Sequence, residues 1–227
     1  MAPATEVAIL PLAEGQDPED STSAAGQTLK ACLETVSKQD GCQRVYWGKQ
    51  VENQSIGVAF IDWESLDHHK RFIESEEFPS FMGQLGSLLS GPGALYHVHF
   101  DDHPAVPALV GDGVHVTEFL TVYFPQDYSS DDQKAFDQNV QKFLDVTKGS
   151  AEGFKDARAG WIVEDLDDPN SSEKRKAWTA LVGWDKVESH LNYRNTSAFQ
   201  DNVHLLRGAK DLKGLVNVHV AVKEFKQ

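Results

Sequence analysis

The residue types best suited to chemistry stand near the end of each half of the chain. His97 and His99 lie in Leu-Tyr-His-Val-His-Phe (95–100), and Asn217 and His219 in Val-Asn-Val-His-Val (216–220). A neutral imidazole can take a phenolic or α-carbon proton near pH 7. A carboxamide can steady the enolate or phenolate oxygen that results. These four are the candidate catalytic residues; a polar, water-filled interior is the competing reading. His-x-His on a strand also sets two imidazoles on one face, as metal sites often do. No third ligand stands nearby in sequence, so no metal is expected.

A second set of histidines sits in a longer pattern. Trp63, His69, Phe72, Ser75 and Phe78 recur as Trp184, His190, Tyr193, Thr196 and Phe199, each 121 residues later. Five matches at one offset mark a duplicated unit. His69 and His190 are read as packing or capping residues of a helix beginning near the tryptophan, since two catalytic copies are rarely needed. Trp63 and Trp184 are read as anchors between helix and sheet. Tyr46, Trp47, Tyr123, Trp161 and Trp178 fall on strands, and those that face inward would line a pocket suited to an aromatic ligand.

The elements that must position these residues follow from periodicity and breakers. Thr5–Leu12 is an apolar run and reads as a strand, and Ala24–Lys38 carries Leu29, Leu33 and Val36 at helical spacing. Asp40-Gly41 stops that helix. Strands over 42–51 and 56–61 follow, then a helix to about Ser75 capped by Asp62, a short helical piece over 79–89, and a strand over 95–100. The order β-α-β-β-α-β is the ferredoxin-like split βαβ. Thr5-Glu6 matches Thr117-Glu118 at an offset of 112, and Gly41, Gly48 and Glu52 match Gly153, Gly160 and Glu164 likewise. The second unit then gains an acidic hairpin excursion within 165–174. His99 is paired with His219 at an offset of 120. The expected division is a first unit over 1–100, a Pro- and Gly-bearing linker over 101–116, and a second unit over 117–227.

Helices cover only one face of such a sheet, and the other face needs a partner. Two units in one chain can supply it by packing sheet to sheet. Alternation puts Tyr96, Val98 and Phe100 on one face and His97 and His99 on the other; Val216, Val218, Val220 and Val222 oppose Asn217 and His219. The apolar faces are expected to meet the helices. The histidine faces would then border the space between the sheets.

The helix motif and its duplication resemble the antibiotic biosynthesis monooxygenase family of the dimeric α/β-barrel superfamily, in a tandem form similar to uncharacterised fungal members. The resemblance implies an α+β chain whose two ferredoxin-like units form, within one chain, the barrel that single-unit relatives build from two, with a further homodimer open. It implies a cofactor-free monooxygenase acting on an aromatic or polyketide-like molecule, a polyketide cyclase or dehydratase of the same fold, or a non-enzymatic, stress-related ligand-binding barrel. Haem-degrading relatives carry an axial histidine three residues after the motif's last Phe. Phe81 and Asn202 stand there, so no haem or other cofactor is expected.

Composition narrows the partners. The chain has 227 residues, 40% hydrophobic and 25% charged, with a net charge of −14. Such a charge repels nucleic-acid phosphates and anionic membranes. Cys32 and Cys42 form neither a zinc cluster nor a disulfide framework. No leader or membrane span is visible, so a small aromatic or hydrophobic ligand, a reducing compartment and a cytoplasmic location are expected. No dinucleotide fingerprint, phosphate loop or Gly-x-Ser-x-Gly is present.

Overall fold

The computed structural model describes residues 2–226. The fold is α+β and contains two ferredoxin-like units. Unit 1 comprises residues 1–99 with 220–227, and unit 2 comprises 100–219.

Unit 1 runs β1 (Ala4–Pro11), α1 (Ala24–Ser37), β2 (Cys42–Gln50), β3 (Ile56–Trp63), α2 (Leu66–Ile73), α3 (Phe78–Gly86) and β4 (Ala94–Val98). Its antiparallel strand order is β4-β1-β3-β2. Unit 2 opens with α4 (Val106–Val110). It continues through β5 (Val116–Pro125), α5 (Ser130–Ser150), β6 (Phe154–Trp161), β7 (Leu166–Asp167), β8 (Lys174–Trp184), α6 (Val187–Tyr193), α7 (Ser197–Asn202), α8 (His204–Arg207) and β9 (Gly214–Glu224). Its order, β9-β5-β8-β6, repeats that of unit 1. The last residues of β9 belong to unit 1, where Val220–Glu224 pair antiparallel with Gln50–Tyr46 of β2.

Local chemistry explains the helix ends. Ser23 caps α1 by accepting from the Gly26 amide, and Ser129 caps α5 by accepting from Asp132. Gly41 ends the turn after α1 at φ +78°, where a side chain would also strike the His68 ring.

Several expectations change. Trp63 and Trp184 close strands β3 and β8 rather than opening helices; α2 starts only after Ser65. Asp62 caps nothing. It is fully buried and accepts from the Thr5 hydroxyl at 2.7 Å. Residues 101–116 are not an unstructured linker, because α4 packs Ala105, Ala108 and Leu109 into unit 2. Gly183 of β8 makes room for it: a Cβ there would lie 3.0 Å from the Ala108 carbonyl. The excursion after Glu164 is a hairpin extension in which β7 pairs with Lys174 and Arg175 of β8.

The larger correction concerns the sheet faces. In unit 1 the helix-covered face carries Glu6, Ala8, Trp47, Ala59, Ile61, Trp63 and His97, and Ala8, Trp47 and Ala59 pack with Leu29 of α1. Tyr46, Phe60, Tyr96 and Val98 lie on the other face and are almost wholly buried. In unit 2 Asn217 and His219 likewise share a face with Glu118, and that face meets the helices. The histidine-bearing faces therefore lie under the helices. Polarity misled the assignment because the strand histidines find polar partners on the helices.

Candidate functional site

The site of unit 1 is assembled on three strands and one helix. β1 brings Glu6 opposite Ile61 of β3 and opposite His97 of β4. Two residues on from Ile61, the Trp63 indole N–H donates to Glu6 Oε2 at 2.8 Å. Helix α2 lowers His69 onto this surface, and its ring stacks on Trp63 with centroids 5.0 Å apart and planes 15° apart. His69 Nδ1 lies 2.7 Å from His97 Nε2, and its Nε2 lies 3.4 Å from Glu6 Oε2. All four residues are buried.

Charge sets the direction of this line of hydrogen bonds. An ionised Glu6 can only accept. His69 Nε2 then carries a hydrogen, and in the neutral ring Nδ1 accepts and His97 Nε2 donates. Hydrogens run from His97 through His69 to Glu6, with Trp63 donating from the other side.

Glu6, His69 and His97 each offer a ligand atom within 4.8 Å of the others, which by number resembles a two-histidine, one-carboxylate metal site. Their arrangement is a line instead. Glu6 and His97 engage opposite nitrogens of one imidazole, so a shared ion would require His69 to turn and give up one of them.

Unit 2 contains the same network. Trp184 Nε1 donates to Glu118 Oε2 at 3.0 Å, His190 stacks on Trp184, and His190 Nδ1 lies 2.8 Å from His219 Nε2. His190 Nε2 is 3.4 Å from Glu118 Oε1. One bond is new: Asn217 Nδ2 donates to Glu118 Oε1 at 2.8 Å. Asn217 stands two residues before the strand histidine, where unit 1 has Leu95. His219 therefore corresponds to His97 and not to His99. His99 is exposed, with Nδ1 2.8 Å from the Pro3 carbonyl, and takes no part in the network.

Unit 1 also holds a cavity of about 160 Å³ between its sheet and helices. Glu6 and His69 form its polar end. Ala8, Cys32, Trp47, Phe72 and Phe81 are among the apolar walls, and Met82 and Leu95 stand half-exposed at its border. Burial pushes the Cys32 thiol up to about 11, so it stays protonated and lines the cavity as a small apolar group. The matching cavity of unit 2 is only about 50 Å³.

Of the aromatic residues expected to line a pocket, Trp47 borders the first cavity and Trp178 the second. Tyr46 does neither; its hydroxyl points at Asp62 on the opposite face, 3.5 Å away, and burial raises its pKa. Tyr123, half-buried, also lies on the opposite face of its strand from Glu118. Trp161 packs on Phe124, Tyr128 and Phe136 and donates to Asp137 at 3.0 Å. Sequence reasoning missed Glu6 and set His69 aside. The signal was present: Glu6 and Glu118 recur at the Thr-Glu match, and each helix histidine precedes its strand histidine by 28 or 29 residues.

Comparison with known proteins agrees with this frame. Residues 14–84 match the family described as antibiotic biosynthesis monooxygenase. No curated protein sequence matches the chain significantly. Among solved structures, an anthrone oxidase-like protein aligns over 99% of this chain and 94% of its own, with a TM-score of 0.66 at 12% identity. A candidate monooxygenase from Fusobacterium nucleatum aligns over 98% and 94%, with a TM-score of 0.61 at 11% identity. One from Lactobacillus acidophilus aligns over the same shares, with a TM-score of 0.57 at 11% identity. At such identity these likenesses speak for the fold alone. Among the described residues no helix is long and apolar enough to cross a membrane. The match over 14–84, on a unit whose Trp-to-Phe helix motif is duplicated downstream, identifies the chain as resembling the antibiotic biosynthesis monooxygenase family in a tandem, two-unit form.

Proposed function

We propose that this protein is a monooxygenase that works in unit 1 on a small aromatic or polyketide-like phenol or anthrone, without a resident cofactor. One observation carries the reading: an apolar cavity that ends on a buried carboxylate–imidazole–imidazole line. An engineered apolar cavity of about 150 Å³ takes up benzene, so about 160 Å³ suits one aromatic ring, with the rest of a larger substrate leaving past Met82 and Leu95. The Trp47 indole N–H is buried without an acceptor among the described residues, and a substrate oxygen could take it up.

The Glu6 carboxylate is the proton acceptor, His69 orients it through Nε2–H, and His97 fixes the tautomer of His69. Removing a proton from the ring leaves an electron-rich carbanion or phenolate that can reduce O2 directly. Recombination forms a C–O bond. Loss of water from the resulting hydroperoxide leaves a carbonyl, so one oxygen atom enters the product and the other becomes water. The dry walls keep the carbanion from simply recovering a proton from solvent.

The test is oxygen uptake with a panel of anthrones and polyketide phenols. The expected result is one O2 consumed per quinone formed, with the rate falling about 100-fold or more in His69→Ala and Glu6→Gln. No uptake with any member of the panel, or uptake indifferent to both substitutions, would refute the proposal. A cyclised or dehydrated product without oxygen uptake would favour the cyclase reading of the same pocket.

A further inference from the structure

The two networks are nearly superimposable in chemistry, yet their cavities differ about threefold in volume. The register shows where the difference arises. Glu6 and Glu118 are equivalent, so Ala8 corresponds to Leu120. Leu10 faces Gly57 across β1 and β3, and Val122 faces Trp178 across β5 and β8, so Gly57 corresponds to Trp178. Ala59 faces both Ala8 and Trp47, and Ala180 faces both Leu120 and Ala159, so Trp47 corresponds to Ala159. On the helices, the lining sets Leu29, Cys32, Leu33, Val36 and Val140, Phe143, Leu144, Thr147 have the same spacing, so Cys32 corresponds to Phe143.

The Trp47/Ala159 and Gly57/Trp178 exchanges move one indole to the neighbouring strand, and the Ala8/Leu120 and Cys32/Phe143 exchanges add bulk to unit 2. In unit 1 the Trp47 ring lies over Gly57, where a Cβ would come within 2.1 Å of it. The floor beside it is left to Ala8 and the wall to Cys32. In unit 2 the indole springs from the Gly57 position itself, and Leu120 and Phe143 take up the space next to it. Polar groups are pinned as well. Tyr193, in place of Phe72, meets the Thr147 hydroxyl at 3.0 Å, and Asn217 holds the Glu118 oxygen that also faces His190.

We infer that the duplicated site has been divided: unit 1 keeps an open, working pocket, and unit 2 keeps the same hydrogen-bond network only as a filled structural copy, so that one chain binds one substrate. Ala8 and Cys32 are the residues that hold the working pocket open, and Gly57 makes room for the Trp47 ring that walls it. What unit 1 does with its ligand rests on the function proposed above; the closure of unit 2 does not.

Xenon in pressurised crystals separates the two questions, because it enters apolar cavities whatever the substrate. The expected result is xenon beside Ala8, Cys32 and Trp47 of unit 1 and none beside Leu120 and Phe143. Equal occupancy in both units, or none in unit 1, would overturn the inference. The double variant Leu120→Ala/Phe143→Cys should admit xenon to unit 2, and continued exclusion would show that these side chains are not what closes it. Oxygen uptake supplies the second arm: His190→Gln should stay within about threefold of the parent while His69→Gln loses about 100-fold. Equal loss in both would overturn the division. If the parent consumed no oxygen, the proposed reaction would fall, and xenon would still decide which pocket is open.

Discussion

Glu6 joins strand β1, Trp63 and His69, and its replacement by two different residues separates their roles. Glu6→Ala removes the oxygen to which the Trp63 indole donates at 2.8 Å. Trp63 is fully buried, so its indole N–H loses its protein acceptor. A buried donor left without a partner costs roughly 1–3 kcal/mol. Glu6→Gln keeps an acceptor oxygen for Trp63 and loses only the extra strength of a charge-assisted bond, about 1 kcal/mol. Trp63 Nε1 and His69 Nε2 face the same oxygen, Oε2, so a glutamine amide oxygen in that place accepts from both. Glu6→Gln thus keeps the tautomer of His69 while nearly preserving the fold. Urea unfolding measures the first quantity, and imidazole nitrogen chemical shifts report which ring nitrogen of His69 is protonated. An Ala variant no less stable than the Gln variant would refute the account of the Trp63 bond. A His69 that carries its hydrogen on Nδ1 in the parent or in Glu6→Gln would refute the direction assigned to the line.

Two further outcomes follow from perturbed groups elsewhere. Burial raises the Cys32 thiol to about 11 and the Cys42 thiol to about 12, the latter also through Glu6 and Asp62 nearby. At pH 8 the thiolate fractions are then roughly 100-fold or more below that of an unfolded cysteine, so alkylation by iodoacetamide, followed by mass spectrometry, should be slower by at least that factor in the folded chain. In unit 2, burial raises the pKa of Asp137 above its ordinary value against the lowering effect of the Trp161 N–H. A raised carboxyl pKa favours folding below the unfolded value and loses that contribution as pH rises through the folded one. Asp137→Asn should therefore raise Tm at pH 7 relative to the parent, with the gain shrinking toward pH 3; a gain that grew on acidification would contradict the assignment.

The sequence carried the repeat and nearly every element, because duplication supplies two readings of each segment. The Thr-Glu pair, the Trp-to-Phe pattern and the paired glycines all fall at equivalent places in the fold. It could not show which face of a strand the helices cover. Alternation separates His97 from Tyr96 but does not orient the pair, and the usual bias of polar groups toward open space fails when two buried histidines satisfy each other. His69 and His97 come together only through the packing of α2 on β4, a contact without local signature. The size of each pocket was equally hidden. It turns on Ala8 and Cys32, small residues that look unremarkable until set beside Leu120 and Phe143.

The pairing of Val220–Glu224 with β2 has a consequence for how the chain reaches its native state. Unit 1 is discontinuous: its first 99 residues leave the ribosome long before the segment that borders β2. Until then the strand from Tyr46 to Gln50 is an open edge, and open edges invite pairing with other chains. Closing that edge joins residues about 170 or more positions apart, a contact of the kind that slows folding. A fragment ending at His99 would keep every residue of the candidate pocket and still carry this exposed border permanently. Unit 1 thus depends for its solubility on a segment made about 170 residues after the strand it covers.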